Sequence, residues 1–335
     1  MAWLADKNLR VGVVGMGKMG LLHSGILNVL PGVELAGVCE PASLTRRILK
    51  KALRKTLVVE KVGDFAKLDL DALFITTPTR THYEVVKEAL ENGLSRNLFV
   101  EKPLSGSYAE SKELAGLISD RGVGMVGYVR RFMVTFLKAK ELLDEGVIGD
   151  PLSFSVNMNS SDFFGIKDPA VSIARGGVLK DLGCYAIDLI LWYFGACQIN
   201  SATTESVTGP GAVDLARFSV RGDGPVPPGN VFVCWCAEGY RMPEVAFSIT
   251  GSKGSLLAND DYVKLNVGGQ SSTFYRLNLG DSNVGFSLGS PEYYREDDCF
   301  AQAITRKLIA EPSFGSAAKV EFAIEQIERM ANSHE

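Results

Sequence analysis

The sequence predicts an α/β chain in two parts: a doubly wound parallel sheet over residues 1–128, then an α+β domain with a predominantly antiparallel open sheet over residues 129–335. Three observations carry this. Over the first 128 residues short continuous apolar runs alternate with helical stretches, the punctuation of βαβ units buried on both faces. A glycine-rich turn joins the first of those runs directly to a helical stretch. Beyond about residue 213 the runs alternate apolar and polar residues, which describes a sheet with two unlike faces.

Size and composition agree with two domains. The chain has 335 residues, against about 100–200 per domain, and with 46% hydrophobic and 22% charged residues it can bury a core in each. Its 35 basic and 39 acidic residues leave a net charge of −4 without runs of one sign, so the electrostatic footprint of a nucleic-acid binder is absent. The start, Met-Ala-Trp-Leu-Ala-Asp-Lys-Asn, has no apolar signal core, and the most apolar later window, 186–199, is broken by Asp188. A cytoplasmic protein that does not enter the membrane is expected. Six scattered cysteines form neither a disulfide framework nor a zinc knuckle, which fits a reducing compartment. Cys234 and Cys236 flank Trp235 and are expected on one face of a strand. The three histidines, His23, His82 and His334, lack metal-ligand spacing, so no metal is expected.

Strands are predicted at 9–14, 33–38, 57–59, 72–76, 98–100 and 123–127, each a short apolar run. Helices fill the gaps at 18–30, stopped by Pro31-Gly32, at 41–54, at 82–92, closed by Gly93, and at 107–120, opened by the capping box Ser107-x-x-Glu110. After Arg131 come an amphipathic stretch at 136–145, a strand at 152–157, a polar and aromatic loop, and a helical pattern at 177–194. Alternating strands follow at 215–220, 231–237, 245–250, 255–258, 262–267 and 273–279, with the Gly- and Pro-rich connection 221–230 between two of them. A last helix is predicted at 317–330.

The turn Gly15-Met16-Gly17-Lys18-Met19-Gly20 is G-x-G-x-x-G between a strand and a helix, the context that the dinucleotide fingerprint requires. Gly15 permits the tight turn, Gly17 lets the backbone approach a pyrophosphate, and Gly20 lets the helix pack close. The helix N-terminus supplies N–H groups and partial positive charge. Glu40 ends the second strand, where a carboxylate accepts from ribose hydroxyls and repels a 2′-phosphate, favouring NAD. Arg46 and Arg47 just downstream keep NADP open. Thr76, Thr77, Pro78 and His82 close the fourth strand, and Glu101 and Lys102 the fifth, all on the side where such sheets hold ligands.

The segment Glu101-Lys102-Pro103, with the glycine fingerprint and Thr77-Pro78-Thr79-x-x-His82, resembles the glucose-fructose oxidoreductase / inositol dehydrogenase (Gfo/Idh/MocA) family. The likeness continues through Tyr128-Val129-Arg130-Arg131-Phe132, the stretch 176–188 and Gly251-Ser252-Lys253-Gly254-Ser255. The resemblance implies a Rossmann domain, a second domain whose open sheet commonly forms a subunit interface, and a homodimer or homotetramer. It implies hydride transfer between a nicotinamide and an oxygen-bearing carbon of a sugar, polyol or related small molecule. Its usual catalytic residues fall on Lys102, Asp181 and, in place of a histidine, Tyr185. Arg175 stands where many members begin a triple glycine, a departure that touches the shape of the substrate pocket.

Oxidising a carbinol requires a proton carrier at the hydroxyl while hydride leaves for the nicotinamide. Asp181, Tyr185 and Asp188 follow one another at i, i+4 and i+7 of a predicted helix and share a face, with Lys180 turned elsewhere. Either Tyr185, its pKa depressed by the Lys102 ammonium, or Lys102 itself can carry the proton, with Asp181 positioning the substrate or Lys102. Tyr128, Arg130, Arg131 and the loop 157–175, Asp162 included, are expected to wall the substrate. Two other readings stay open: a nucleotide-binding regulator without turnover, and a glycoside hydrolase using NAD in a transient redox cycle.

Overall fold

The computed structural model describes residues 8–118, 122–211, 213–224, 226–282, 284–285 and 289–333. The N-terminal stretch read above as lacking a signal core (all but Asn8), the last two residues of the helix predicted at 107–120, Pro225 and His334 lie outside them. The chain forms two compact units, Met1–Val129 with Ser282–Lys319, and Arg130–Asp281 with Val320–Glu335.

In the first unit the chain runs through β1 (Leu9–Val14), α1 (Lys18–Leu27), β2 (Val33–Cys39), α2 (Ser43–Ala52), β3 (Leu57–Val59), β4 (Ala72–Ile75), α3 (His82–Glu91), β5 (Leu98–Glu101), α4 (Tyr108–Ile118) and β6 (Gly124–Gly127). The strands pair in parallel in the order β3-β2-β1-β4-β5-β6. Val11, Val13, Leu73, Phe99 and Val100 are wholly buried, which is why these strands read as unbroken apolar runs. Because the chain winds outward in opposite directions from β1 and β4, a crevice opens at their carboxyl ends. The expected box at α4 forms with a shift: Ser107 Oγ accepts from Glu110 N–H at 3.3 Å, while the Glu110 carboxylate accepts from Gly106 N–H at 3.0 Å.

The second unit contains α5 (Val134–Asp144), β7 (Pro151–Asn159), α6 (Pro169–Ala174), α7 (Cys184–Phe194), β8 (Ile199–Glu205), β9 (Leu215–Val220), β10 (Gly229–Cys234), β11 (Glu244–Gly251), β12 (Gly254–Asn259), β13 (Tyr262–Val267) and β14 (Gln270–Tyr275). They order β14-β13-β12-β11-β7-β10-β9-β8, with β10 parallel to β7 and every other pair antiparallel. Helix α7 packs its aromatic end on the sheet, Phe194 stacking on Phe154 at 5.2 Å, and the Tyr193 hydroxyl donates to Phe136 O at 3.0 Å. Strand β8, Ile-Asn-Ser-Ala-Thr-Thr-Glu, carried no apolar alternation and escaped prediction. β10 stops at Cys234, so Trp235 and Cys236 leave the ladder and the expected shared face for Cys234 and Cys236 is not made.

Two further helices close the chain, α8 (Pro291–Arg306) and α9 (Phe314–Asn332). The single domain expected over 129–335 is corrected, because residues 282–319 cluster with the N-terminal unit. A parallel sheet needs both faces covered. Phe300 of α8 packs edge-on against Phe74 of β4 at 5.3 Å, and Val126 N–H of β6 donates to Pro312 O at 2.9 Å.

Asp214, wholly buried, organises part of the second unit. One oxygen accepts from Val207 N–H, Thr208 N–H and Thr208 Oγ1 at 2.8, 2.7 and 2.8 Å; the other accepts from Ser172 Oγ at 3.0 Å and Trp235 Nε1 at 2.6 Å. Burial by itself would raise its pKa, but the donors, Thr208 and Trp235 foremost, outweigh it and hold the carboxyl below the usual aspartate range. Asp214→Ala strands those donors and is expected to cost about 3 kcal/mol or more in chemical denaturation. Since the folded pKa is depressed, this stabilisation is present above the ordinary aspartate pKa and is lost as pH falls through the folded one; the gap between wild type and variant narrows in acid.

Candidate functional site

In the first unit the crevice is built on the turn after β1. Gly15 has φ 90°, a conformation side chains resist, and Thr76 Oγ1 fastens the turn by donating to Gly15 O at 2.7 Å and Val14 O at 3.0 Å. A Cβ on Gly20 would fall 1.9 Å from Gly15 O, so α1 reaches this close to the turn only with glycine there. A Cβ on Gly17 would meet nothing within 4 Å. Gly17 is also the N-cap of α1 and no side chain caps it. Open space above an uncapped helix start fits the phosphates of a dinucleotide.

The other expected cofactor residues take distinct places. Met16 lends its backbone, its N–H donating to Glu40 Oε2 at 3.1 Å, while its side chain is buried beside Ser24. Lys18 is exposed and Met19 half-buried. Glu40 Oε1 accepts from Ala42 N–H at 2.8 Å, so the carboxylate is fixed at the edge of the glycine turn, where ribose hydroxyls are recognised. Arg46, read from sequence as a possible 2′-phosphate ligand, donates instead to Glu40 O at 2.9 Å, to Pro41 O, and to Glu60 Oε2 at 2.8 Å. Thr77 and Pro78 follow β4 beside the turn, a Cβ at Gly15 being 2.8 Å from the Thr77 side chain.

His82 does not present its ring to the crevice. It is 1% exposed, with Nδ1 2.8 Å from Pro103 O and Nε2 2.7 Å from Thr77 O. Burial lowers its pKa and outweighs the two carbonyl contacts, so at neutral pH a single N–H donates to one of them. Its expected cofactor-side role is therefore corrected to one of tying the β4 and β5 loops together. Glu101 Oε2 accepts from Lys102 N–H at 3.2 Å, and Glu101 Oε1 lies 3.0 Å from His23 Nε2. His23, missed from sequence as a site residue, is wholly buried and also reaches Asp297 of α8 at 2.8 Å.

In the second unit Asp181 lies in a wide π-helical turn, Leu179–Gly183, that precedes α7, with Cys184 N–H reaching back to Leu179 O. Such turns recur at functional sites. The i, i+4 ladder assumed from sequence therefore begins only after Asp181. Asp181 and Tyr185 are both half-buried. Asp188 is wholly buried, and Arg131 Nε and Nη2 donate to its two oxygens at 2.8 and 2.6 Å. Arg131, expected on the substrate wall, is held by this pair. Arg130 is engaged with Asp260 and with Pro243 O at 2.6 Å, and Tyr128 is wholly buried. Asp162 is placed as expected of a loop residue, more than a third exposed, and is paired with Arg175 at 2.9 Å. The same Arg175 nitrogen lies 3.2 Å from Asp181 Oδ2, and its guanidinium covers the Phe163 ring at 5.4 Å. The residue that departs from the glycine pattern is thus the cation joining two candidate site carboxylates.

Two family models match the chain. One, described as an oxidoreductase family with an NAD-binding Rossmann fold (GFO_IDH_MocA), covers residues 9–128; the other, a GFO/IDH/MocA C-terminal domain, covers 136–257. Among curated relatives, a scyllo-inositol 2-dehydrogenase (NAD(+)) of Bacillus subtilis is 32% identical over 199 residues. That match takes in 57% of this chain and 55% of that protein, so it spans little more than half of the relative. A levoglucosan dehydrogenase of Pseudarthrobacter phenanthrenivorans is 26% identical over 294 residues, 76% of this chain and 74% of that one. A solved levoglucosan dehydrogenase, in complex with NADH and levoglucosan, shares the fold with a TM-score of 0.85 at 21% identity, covering 98% of each chain. Among the described residues no helix is long and apolar enough to cross a membrane.

Gly17→Val separates folding from nucleotide binding. Its side chain enters space the protein leaves open, so the thermal midpoint should stay close to wild type, while NADH affinity, followed by fluorescence titration, should fall about tenfold or more. Unchanged affinity would show that the helix start is not the phosphate site.

Proposed function

The chain belongs to the Gfo/Idh/MocA family of NAD-binding oxidoreductases, and on that premise we propose that it is an NAD-dependent dehydrogenase of a neutral sugar or polyol. The observation that supports this most is the glycine cradle with Glu40 fixed at its edge and Arg46 already spent on three acceptors, an arrangement suited to NAD and poorly suited to NADP. The relatives named for inositol and levoglucosan support a substrate rich in hydroxyls.

The glycine turn at 15–20 and Glu40 would hold NAD, which when bound would supply the hydride acceptor for the carbinol carbon. Tyr185 Oη, as phenolate, would take the hydroxyl proton of the carbinol as it becomes a carbonyl and then return that proton to solvent. Lys102 Nζ would donate a hydrogen bond to the reacting oxygen. Asp181, with Arg175 against it, accepts hydroxyl hydrogens of the substrate. Asp162 extends the same acceptor set, and two carboxylates around one guanidinium leave a net negative charge that favours a neutral polyol over an anionic one. A homodimer or homotetramer accompanies this reading, built on the sheet face that carries Ser155, Asn157, Asn230 and Phe232.

Absorbance at 340 nm over aldoses, inositols and anhydrosugars with NAD and NADP tests the assignment. Turnover with NAD preferred is expected. Tyr185→Phe and Lys102→Met should each lower kcat by about a hundredfold or more, with NADH affinity within about threefold of wild type for Tyr185→Phe. A Tyr185→Phe enzyme at full rate would move the proton to Lys102. No turnover of any polyol, with cofactor retained, would remove the dehydrogenase reading.

A further inference from the structure

We propose that His23 is a positioning residue for the Lys102 amine: it clamps the Glu101 side chain, and through it the backbone at Lys102, to the returning helix α8. The proposal rests on Lys102 belonging to the reacting site. His23 lies on α1, one turn beyond the glycine fingerprint, and is wholly buried. Its ring packs against Phe99 at 5.1 Å, Phe74 at 5.6 Å and Tyr293 at 6.2 Å, so solvent does not serve its nitrogens. Nδ1 meets both oxygens of Asp297, at 2.8 and 3.0 Å, and Nε2 meets Glu101 Oε1 at 3.0 Å.

Ionised carboxylates only accept, so both contacts are hydrogen bonds when the ring carries a proton on each nitrogen. Burial disfavours that charge, but Asp297 and Glu101 outweigh it and hold the imidazole well above its ordinary pKa. The remaining acids nearby are accounted for. Glu296 is wholly buried, neither of its oxygens has a hydrogen-bond partner among the described residues, and burial, with Glu101 adding to it, holds its carboxyl well above the usual carboxylate range. Glu292 is buried within an ion-pair distance of 4.0 Å from Arg295. The His23 ring thus stands between two carboxyls, Glu101 and Asp297, the latter raised by burial against the pull of the histidine.

The consequence falls on the residues either side of Lys102. Glu101 Oε2 receives Lys102 N–H at 3.2 Å, and the Pro103 carbonyl lies 2.8 Å from His82. A long, flexible amine must be delivered to a reacting oxygen from a fixed root, since a displacement of about 1 Å can cost about a hundredfold in rate. Packing alone would not call for an ionic network in a dry interior, where desolvation is costly. The link also gives a reason for the chain to return to the first unit after leaving it: α8 brings Asp297 to hold the histidine that holds Glu101.

A pair of isosteres separates positioning from packing. The carboxamide nitrogen of His23→Gln reaches the place of Nε2 and retains a donor for Glu101, whereas that of His23→Asn reaches the place of Nδ1 and retains the donor for Asp297. In the full-length protein, acetylation of Lys102 by acetic anhydride, followed by mass spectrometry from neutral to alkaline pH, reads the amine without needing substrate. His23→Asn should change the labelling rate by about threefold or more and lower kcat by about tenfold or more, with KM for NAD within about twofold. His23→Gln, which keeps the donor to Glu101 but loses the tie to Asp297, should lie between His23→Asn and wild type in both. The reverse order, or unchanged labelling in both variants beside a lowered thermal midpoint, would overturn the proposal. If both variants fail to fold, Glu101→Gln is labelled instead; an unchanged Lys102 rate there overturns it equally. Absence of turnover in the wild type would fall on the dehydrogenase reading, and the labelling order would still decide the role of His23.

Discussion

Helix α1 can approach the turn that precedes it only because Gly20 has no side chain, a Cβ there lying 1.9 Å from Gly15 O. Much of the first unit follows from that contact. It directs the uncapped start of α1, at Gly17, into the crevice between β1 and β4. It also fixes the helix's rotation, so that three residues after Gly20 the His23 ring packs against both Phe74 and Phe99, which stack on each other. One helix therefore opens its N-terminus into the crevice and gives its buried face to the strand that ends at Glu101, just before Lys102.

Buried charge is the second theme. In the first unit His23 sits between Asp297 and Glu101; in the second, Arg131 grips Asp188 and Asp214 gathers five donors. Such groups add little net stability when compared with apolar packing, yet removing one partner leaves a costly orphan. They act as register pins. Asp214 holds α6 and Trp235, whose ring stacks on Phe163 at 4.2 Å, and Phe163 in turn lies under the Arg175 guanidinium that joins Asp162 to Asp181. The arrangement of candidate substrate-binding groups thus rests on a carboxylate remote from them in sequence.

Legibility varied with how local the governing interaction was. The parallel strands and the glycine turn were plain, because few folds other than a covered parallel sheet call for continuous apolar runs joined to helices through a glycine pattern. Helix α8 went unseen, since Glu292, Glu296 and Asp297 are buried on its inner face and erase the apolar period by which helices are recognised. Strand β8 failed for the related reason that Ser, Asn and Thr fill positions expected to alternate. Arg130 and Arg131 were expected at the substrate wall from their place at the domain junction, and His82 at the crevice from its place after the fourth strand; each also satisfies another part of the protein, a partnership that sequence position does not reveal. The one signal that could have exposed the His23 cluster was a histidine on an apolar helix face together with the run Glu296-Asp297-Asp298 far downstream.

Taken alone, the amino-acid order determined what is settled within a few residues: the conformational freedom at Gly15, the close approach at Gly20, the paired layers of βαβ units, and a second sheet with two unlike faces. Backbone sterics and hydrophobic periodicity act over that range and leave their mark in the string of letters. The partners of the charged groups were decided only when the chain folded. Arg131 and Asp188 are 57 residues apart and His23 and Asp297 are 274 apart, and a Coulombic or hydrogen-bonded pairing leaves no periodic trace along the chain. Which carboxylate is free to meet a substrate, and which is already answered by a cation, is a property of three-dimensional proximity and desolvation.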